Sequence, residues 1–263
     1  MTIRYAALDL DGTLIDAKDQ PYEGVVEGLR ALRSQGVEPL LVTGRSARSF
    51  RNLRHLDDLL GELDDEVLLS EGNVRLARDR DLLSFPRTCP VELTKALDSD
   101  LVSDLVIEIG GEFHASTPRS AMQFAMAYQV PRRQIRSGIP EPVDGLGPTS
   151  VTVFRSDVPL STLVAHLDCE VAAIGPFDAR VVRPSGTSKA TALARHLQRR
   201  FAEPDLGRTL AIGDGATDAS MLSDCATGIA TQNADPVAVE AADRQLRGQL
   251  ASFLHSFRSE GQV

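Results

Sequence analysis

Residues 3–13 read Ile3-Arg4-Tyr5-Ala6-Ala7-Leu8-Asp9-Leu10-Asp11-Gly12-Thr13. Ile3 to Leu10 is an apolar, β-rich run, and Asp11-Gly12 ends it in a turn. The run lacks polar alternation, so both of its faces are expected to be covered. An amphipathic helix follows, with Tyr22, Val25, Val26, Leu29 and Leu32 at helical spacing and Gly36 as its stop. Val37 to Val42 reads as a second buried strand, broken by Thr43-Gly44. Ser46 to Leu60 is expected to be helical, and Glu66 to Leu69 to be a third short strand. Continuous apolar strands separated by helices predict a parallel sheet with helices on both faces.

The same grammar returns late in the chain. Ala190, Leu193, Ala194, Leu197 and Phe201 form one helix face. Thr209 to Ile212 is a strand that ends at Gly213-Asp214-Gly215. A helix with Met221 and Leu222, a strand over Thr227 to Ala230 and a helix after Pro236 follow. Between about Asp81 and Val181 the periodicity is mixed. Leu105 to Ile109 and Val151 to Phe154 read as strands. Pro118 to Tyr128 and Pro159 to Leu167 read as helices, and Pro140 to Pro148 as a Pro- and Gly-rich loop. The expected fold class is therefore α/β. Residues 1–80 and 182–263 form a Rossmann-like three-layer core with a mostly parallel sheet, and residues 81–181 form an inserted α+β domain.

Composition narrows the function classes. With 42% hydrophobic residues among 263, the chain can build a real core. Charges interrupt every apolar segment, and the start lacks the layout of a signal peptide, so no membrane association and a cytoplasmic location are expected. Lys and Arg number 28 against 37 Asp and Glu, a formal charge of -9. That balance disfavours nucleic-acid binding and repels anions at long range. A phosphate site must then be built locally. Cys89, Cys169 and Cys225 form no close pair in sequence and are expected to be reduced thiols. The five histidines lack metal-ligand spacing. Oligomeric state is not legible.

Four short motifs fall at expected strand ends or helix starts. Asp9 and Asp11 are two apart in an extended chain and point the same way, so their carboxylates call for a cation or a shared proton. The same residues also suit a plain Asp-Gly turn. Thr43-Gly44-Arg45 offers a hydroxyl and a bare N–H at the end of the second strand, where open parallel sheets bind ligands. It equally suits an ordinary strand-to-helix turn. Lys189, in Ser185-Gly186-Thr187-Ser188-Lys189, sits at a helix start against the macrodipole. A surface lysine tolerates that position, and a lysine that must reach an anion would explain it. Asp214 and Asp218, in Gly213-Asp214-Gly215-Ala216-Thr217-Asp218, would add carboxylates at a third strand end, and three or four acidic groups converging there would resemble a magnesium site completed by phosphate and water. A Gly-Asp turn followed by a capped helix is the alternative.

In this order and context, the motifs Asp-x-Asp-Gly-Thr, Thr-Gly-Arg, Lys and Gly-Asp-x-x-x-Asp strongly resemble the haloacid dehalogenase (HAD) superfamily. The closer resemblance, across most of residues 3–245, is to its Cof-type branch, whose C2B cap lies between the second and third motifs. Gly228-Ile229-Ala230 through Asn233-Ala234-Asp235-Pro236 is similar to that branch as well. The resemblance implies a phosphatase acting on a small phosphorylated metabolite, by analogy a sugar or polyol phosphate. It implies Asp9 as nucleophile and Asp11 as general acid and base. Thr43, Gly44, Lys189 and Thr217 would bind phosphate. Mg2+ would be held by Asp9, the backbone carbonyl of Asp11 and Asp214, with Asp218 in support. Arg119, Arg132, Arg133, Arg136, Arg180 and Arg183 are candidates for substrate selection. Two departures stand out. Thr217 replaces the branch's usual Asn, and Ser70-Glu71-Gly72-Asn73 transposes its Ser-x-Asn-Gly. A phosphotransferase or mutase, and a non-catalytic binding protein on the same core, are the alternatives. Lys189→Met is expected to leave the fold stable, because an unfavourable dipole contact disappears.

Overall fold

Tyr5–Leu8 is a strand buried at every residue, as its unbroken apolar run requires. In the computed structural model, which describes residues 2–97, 101–140, 145–173 and 178–258, it is the fourth strand of a five-stranded sheet. The order is Arg244–Gln245, Thr227–Ala230, Thr209–Gly213, Tyr5–Leu8, Glu38–Leu41, and every pairing is parallel. Leu8 lies opposite Leu41 on one side and Ile212 on the other. A parallel sheet needs crossover connections, and helices Val25–Ser34 and Lys189–Phe201 supply two of them. Leu193 and Leu197 of the latter are fully buried, packed in one cluster with Tyr5, Ala7, Leu40, Val42 and Met221. Truncating either leucine to Ala costs about 2–5 kcal/mol by the usual cavity relation.

The chain divides into two compact units. The first contains residues 1–45, 50–82 and 188–263, and holds the parallel sheet. The second contains residues 46–49 and 83–187. Its six-stranded sheet runs Cys169–Ala173, Arg180–Pro184, Ser150–Ser156, Val102–Ile109, Glu112–Ala115, Ile135–Ser137, and its last pair is parallel. Strand Val102–Ile109 is buried on both faces, and its side chains alternate between two clusters. Leu105, Ile107 and Ile109 pack with Leu93, Leu97 and Leu160, whereas Val106, on the other face, packs with Phe113 of the neighbouring strand and with Ala121 and Phe124 of helix Pro118–Tyr128. Cys89, Cys169 and Cys225 are free thiols. No helix among the described residues is long and apolar enough to cross a membrane.

Three local expectations change. The helix expected over Ser46 to Leu60 breaks into Ala47–Arg51 and Asp57–Gly61, because His55 takes a left-handed φ of 62° between them. Glu66–Leu69 does not join the parallel sheet as a full strand. It pairs antiparallel with Val74–Ala77 and touches the main sheet through a single bridge, Val42 to Leu68. The helix expected over Pro159 to Leu167 is a single turn, Leu160–Leu163. Within the expected loop Pro140 to Pro148, residues 141–144 lie outside the described residues.

One buried titratable group makes the stability of this fold depend on acid. His196, on helix Lys189–Phe201, is 4% exposed, and neither ring nitrogen has a hydrogen-bond partner; Glu66 Oε2 lies 3.6 Å from Nδ1, beyond hydrogen-bond reach, and is taken by Arg199. Its ring meets Phe201 edge-on with centroids 6.0 Å apart. Burial pushes its pKa from 6.5 down to about 4. Asp64 opposes the shift, and Arg199, Arg200 and Arg75 reinforce it. The neutral ring is the form the fold accepts. Its contribution to stability is complete above the unfolded pKa and is lost as pH falls toward the folded one. Urea unfolding at pH 7 and pH 5 should show wild type losing about 2 kcal/mol more than His196→Phe between the two conditions. Equal losses in the two proteins would show that His196 titrates normally.

Candidate active site

The chain leaves Tyr5–Leu8, forms Glu38–Leu41 on one side of it, and much later forms Thr209–Gly213 on the other. Strand order therefore reverses beside Tyr5–Leu8, and the carboxyl ends of such strands open the crevice where open α/β sheets bind ligands. Asp9 is the next residue after Leu8, and its N–H donates to the Ile212 carbonyl at 3.0 Å. Asp214 directly follows Gly213. Thr43 lies two residues beyond Leu41, with its N–H on the Leu68 carbonyl at 2.9 Å. Parallel register thus delivers Asp9, Thr43 and Asp214 to one edge of one sheet.

A buried lysine holds the carboxylates together. Lys189 Nζ donates to Asp9 Oδ1 and to Asp218 Oδ1, both at 2.5 Å. Lys189 and Asp218 are each 1% exposed, and Asp9 is 5% exposed. Ser188 caps the helix that presents Lys189, its hydroxyl accepting from the Thr191 N–H at 3.2 Å. The second oxygen of Asp218 accepts from the N–H groups of Asp214 and Gly215, at 3.0 and 2.9 Å. Asp218 therefore organises the loop that carries Asp214. Thr13 Oγ1 donates to Asp214 Oδ1 at 3.4 Å. Gly12 is required here. Its φ is +72°, and a Cβ would stand 2.1 Å from Asp214 Oδ2.

Oxygens of Asp9, Asp214 and Asp218 all lie within 4.8 Å of one another. The Asp9 carboxyl is raised to about 7, chiefly by burial, which Lys189 opposes and the Asp218 charge reinforces. Burial, then the Asp218 charge, also raises Asp214. Burial alone would lower the Lys189 ammonium, but Asp9 and Asp218 outweigh it and hold it above its ordinary range. Three carboxylates against one ammonium leave two surplus negative charges when all are ionised. The donors are hard oxygens in a glycine-lined cradle. That set fits a divalent cation of the magnesium type, which would remove the cost of ionising all three.

Asp11 is turned elsewhere. Its carboxylate receives Arg45 Nε at 3.0 and 2.8 Å and also pairs with the terminal guanidinium nitrogen, which reaches Asp19 Oδ1 at 2.6 Å. Thr43 is 1% exposed, and its hydroxyl accepts from the Arg45 N–H at 3.1 Å, while Gly44 is exposed. Ser70 and Glu71 steady this turn, donating their N–H groups to the Arg45 and Thr43 carbonyls at 2.8 and 3.1 Å. Thr217 is exposed on the one-turn helix Ala216–Asp218. Sequence reasoning included Arg45 in the Thr43-Gly44-Arg45 motif without giving it a role, and did not single out Asp19. The available signal was an arginine directly after Thr43-Gly44, at the edge that carries two aspartates. Among the candidate arginines of the second unit, Arg183 donates to Glu170 at 2.6 Å and Arg132 to the Ile135 carbonyl at 2.8 Å. Arg136 lies 3.4 Å from Glu112.

The sequence profile of the haloacid dehalogenase-like hydrolases matches residues 6–72 and 166–248, which carry every motif of this site. The chain belongs to that family. A Bacillus subtilis (strain 168) protein, YxeH, whose phosphatase designation is provisional, is 28% identical over 261 residues, covering 92% of each chain. A crystal structure from Thermotoga maritima superimposes with a TM-score of 0.76 at 17% identity, covering 98% of each chain. A HAD subclass IIB sugar phosphatase does so with a TM-score of 0.70 at 21% identity over 92% of each. At these identities the two structures attest the fold.

The burial of Lys189 reverses the stability expected of its replacement. A lysine exposed at a helix start would be lost at no cost, but this one is the counter-ion of two buried carboxylates. Lys189→Met should therefore destabilise the fold by about 3–5 kcal/mol in metal-free buffer. Urea titration is the check, and an unchanged midpoint would contradict the buried ion pairs.

Proposed function

We propose that this hydrolase is a Mg2+-dependent phosphomonoesterase that acts on a small phosphorylated metabolite, of the sugar or polyol phosphate class, through an aspartyl-phosphate, an acyl phosphate, formed on Asp9. The observation that carries this reading is the buried Asp9–Lys189–Asp218 cluster, with Asp214 beside it, at the switch point of the parallel sheet. A carboxylate fixed by an ammonium at that edge is oriented for in-line attack and shielded from competing solvent.

Asp9 attacks phosphorus, and the bond from phosphorus to the ester oxygen breaks as the new one forms. Asp11 gives a proton to the departing alkoxide. Water then attacks the phosphorus of the aspartyl-phosphate and yields its proton to Asp11, releasing phosphate and restoring Asp9. Thr43, Gly44, Lys189 and Thr217 are the groups proposed to hold the phosphoryl oxygens. A magnesium ion held by Asp9, the Asp11 carbonyl and Asp214, with Asp218 in support, would offset the carboxylate and phosphoryl charge. The sugar or polyol class rests on likeness alone, with residues of the second unit proposed to select it.

Hydrolysis of a panel of phosphorylated metabolites should vanish in chelator and return with magnesium. Calcium should restore it poorly, because its coordination is larger and looser. Full activity in chelator would sink the assignment. Asp9→Asn should form no covalent adduct with any ester. Asp11→Asn should stall on a sugar phosphate but still release nitrophenolate, which leaves without a proton. On that ester it should give a burst followed by slow turnover, with phosphate on Asp9 visible by intact-protein mass spectrometry after acid quench. If a folded, metal-loaded Asp11→Asn protein shows neither burst nor adduct, the division of labour between the two aspartates is wrong.

A further inference from the structure

We propose that Arg45 is a positioning residue that sets the Asp11 carboxylate for proton transfer, acting as a clasp between Asp11 and Asp19. The role rests on the reading of Asp11 as acid and base. The guanidinium meets both oxygens of Asp11 and, from the same terminal nitrogen, Asp19. Such a fork fixes the plane and direction of a carboxylate, which a point-charge ammonium cannot do. Arg45 is itself fixed at both ends. Its side chain is 19% exposed, its N–H is on the Thr43 hydroxyl, and its carbonyl accepts from the Ser70 N–H.

Asp11 and Asp19 have little else to hold them. Their side chains are 48% and 47% exposed. Asp19 stands in a left-handed conformation, φ 59°, on a short turn in which Asp16 accepts from the Lys18 and Gln20 N–H groups at 2.8 and 3.0 Å. Two carboxylates on one guanidinium leave a net negative charge at Arg45. That argues against Arg45 as the ligand of a second substrate anion and for a role exerted through Asp11.

The test compares wild type with Arg45→Met, Arg45→Lys, Asp19→Asn, Asp11→Asn and the double variant Arg45→Met/Asp11→Asn. Each is metal-loaded, checked by thermal melting, and assayed on an alkyl phosphate and on nitrophenyl phosphate. The ratio kcat/KM reports transfer to Asp9, the step in which only the alkyl ester needs a proton. Arg45→Met should lower kcat/KM for the alkyl ester about 100-fold, the scale of a misplaced catalytic group. For the nitrophenyl ester it should change by less than about threefold. Arg45→Lys should restore only part of the loss. Asp19→Asn, on an exposed turn, should show the same pattern at about 3- to 10-fold, and it carries the test if Arg45→Met does not fold. The double variant should be no slower than Asp11→Asn alone, because the two residues act as one unit. Multiplying losses in the double variant, or an equal loss of kcat/KM on both esters, would overturn the role. An inactive wild-type protein would instead remove the phosphatase reading, and this role with it.

Discussion

Like charge is the constraint around which this sheet edge is arranged. Parallel register brings Asp9 and Asp214 to neighbouring strand ends, and the Asp218 carboxylate folds back over the loop between them. Three acidic groups with oxygens within 4.8 Å would push the strand ends apart if nothing opposed them. Lys189 opposes them from inside the protein, at the start of a helix whose dipole disfavours it. A cation is tolerated there because two carboxylates stand within hydrogen-bond reach. The remaining negative charge is what a divalent ion and an anionic ester can occupy together, even though the chain as a whole is acidic.

The loops around this edge are held mainly by backbone groups. The Asp218 carboxylate takes two N–H groups of the Asp214 loop, and the carbonyls of the Thr43–Arg45 turn take N–H groups from Ser70 and Glu71. The clustered side chains are thereby carried on segments whose backbone groups are themselves hydrogen-bonded. Arg45 adds a tie between two such segments, the Asp11 strand end and the turn at Asp19.

Four strands of the parallel sheet were legible because they are mostly buried and appear as apolar runs, whereas the fifth, Arg244–Gln245, is two exposed polar residues at the sheet's edge and left no such signal. The strand Glu66–Leu69 looks like those four in sequence, yet it belongs to an antiparallel hairpin. Its apolar residues report burial and say nothing of which partner does the burying. Helix Ser46 to Leu60 was overextended because the left-handed turn at His55 carries no glycine to mark it. At the site, Asp9, Lys189, Asp214 and Asp218 could be picked out because each stands at an element boundary, and the structure brings these four together. The burial of Lys189 was not legible, since a charged residue at a helix start is usually solvated. Nor was the Arg45 bridge, which depends on where three side chains point across turns far apart in sequence.

The pairing of Tyr5–Leu8 with Thr209–Gly213 also orders events in time. These partners are separated by about 200 residues, and the register between them aligns Asp9 with the Asp214 loop. On the ribosome the first strand emerges about 10–40 s before its neighbour, at ordinary elongation rates. The second unit, almost continuous from 83 to 187, is complete in the interval. The sheet end that gathers Asp9 and Asp214 is therefore among the last features to form, through a contact of very high sequence separation, which folds slowly. Until then Tyr5–Leu8, an apolar strand with an unpaired edge, is exposed to the misassociation that chaperones exist to prevent.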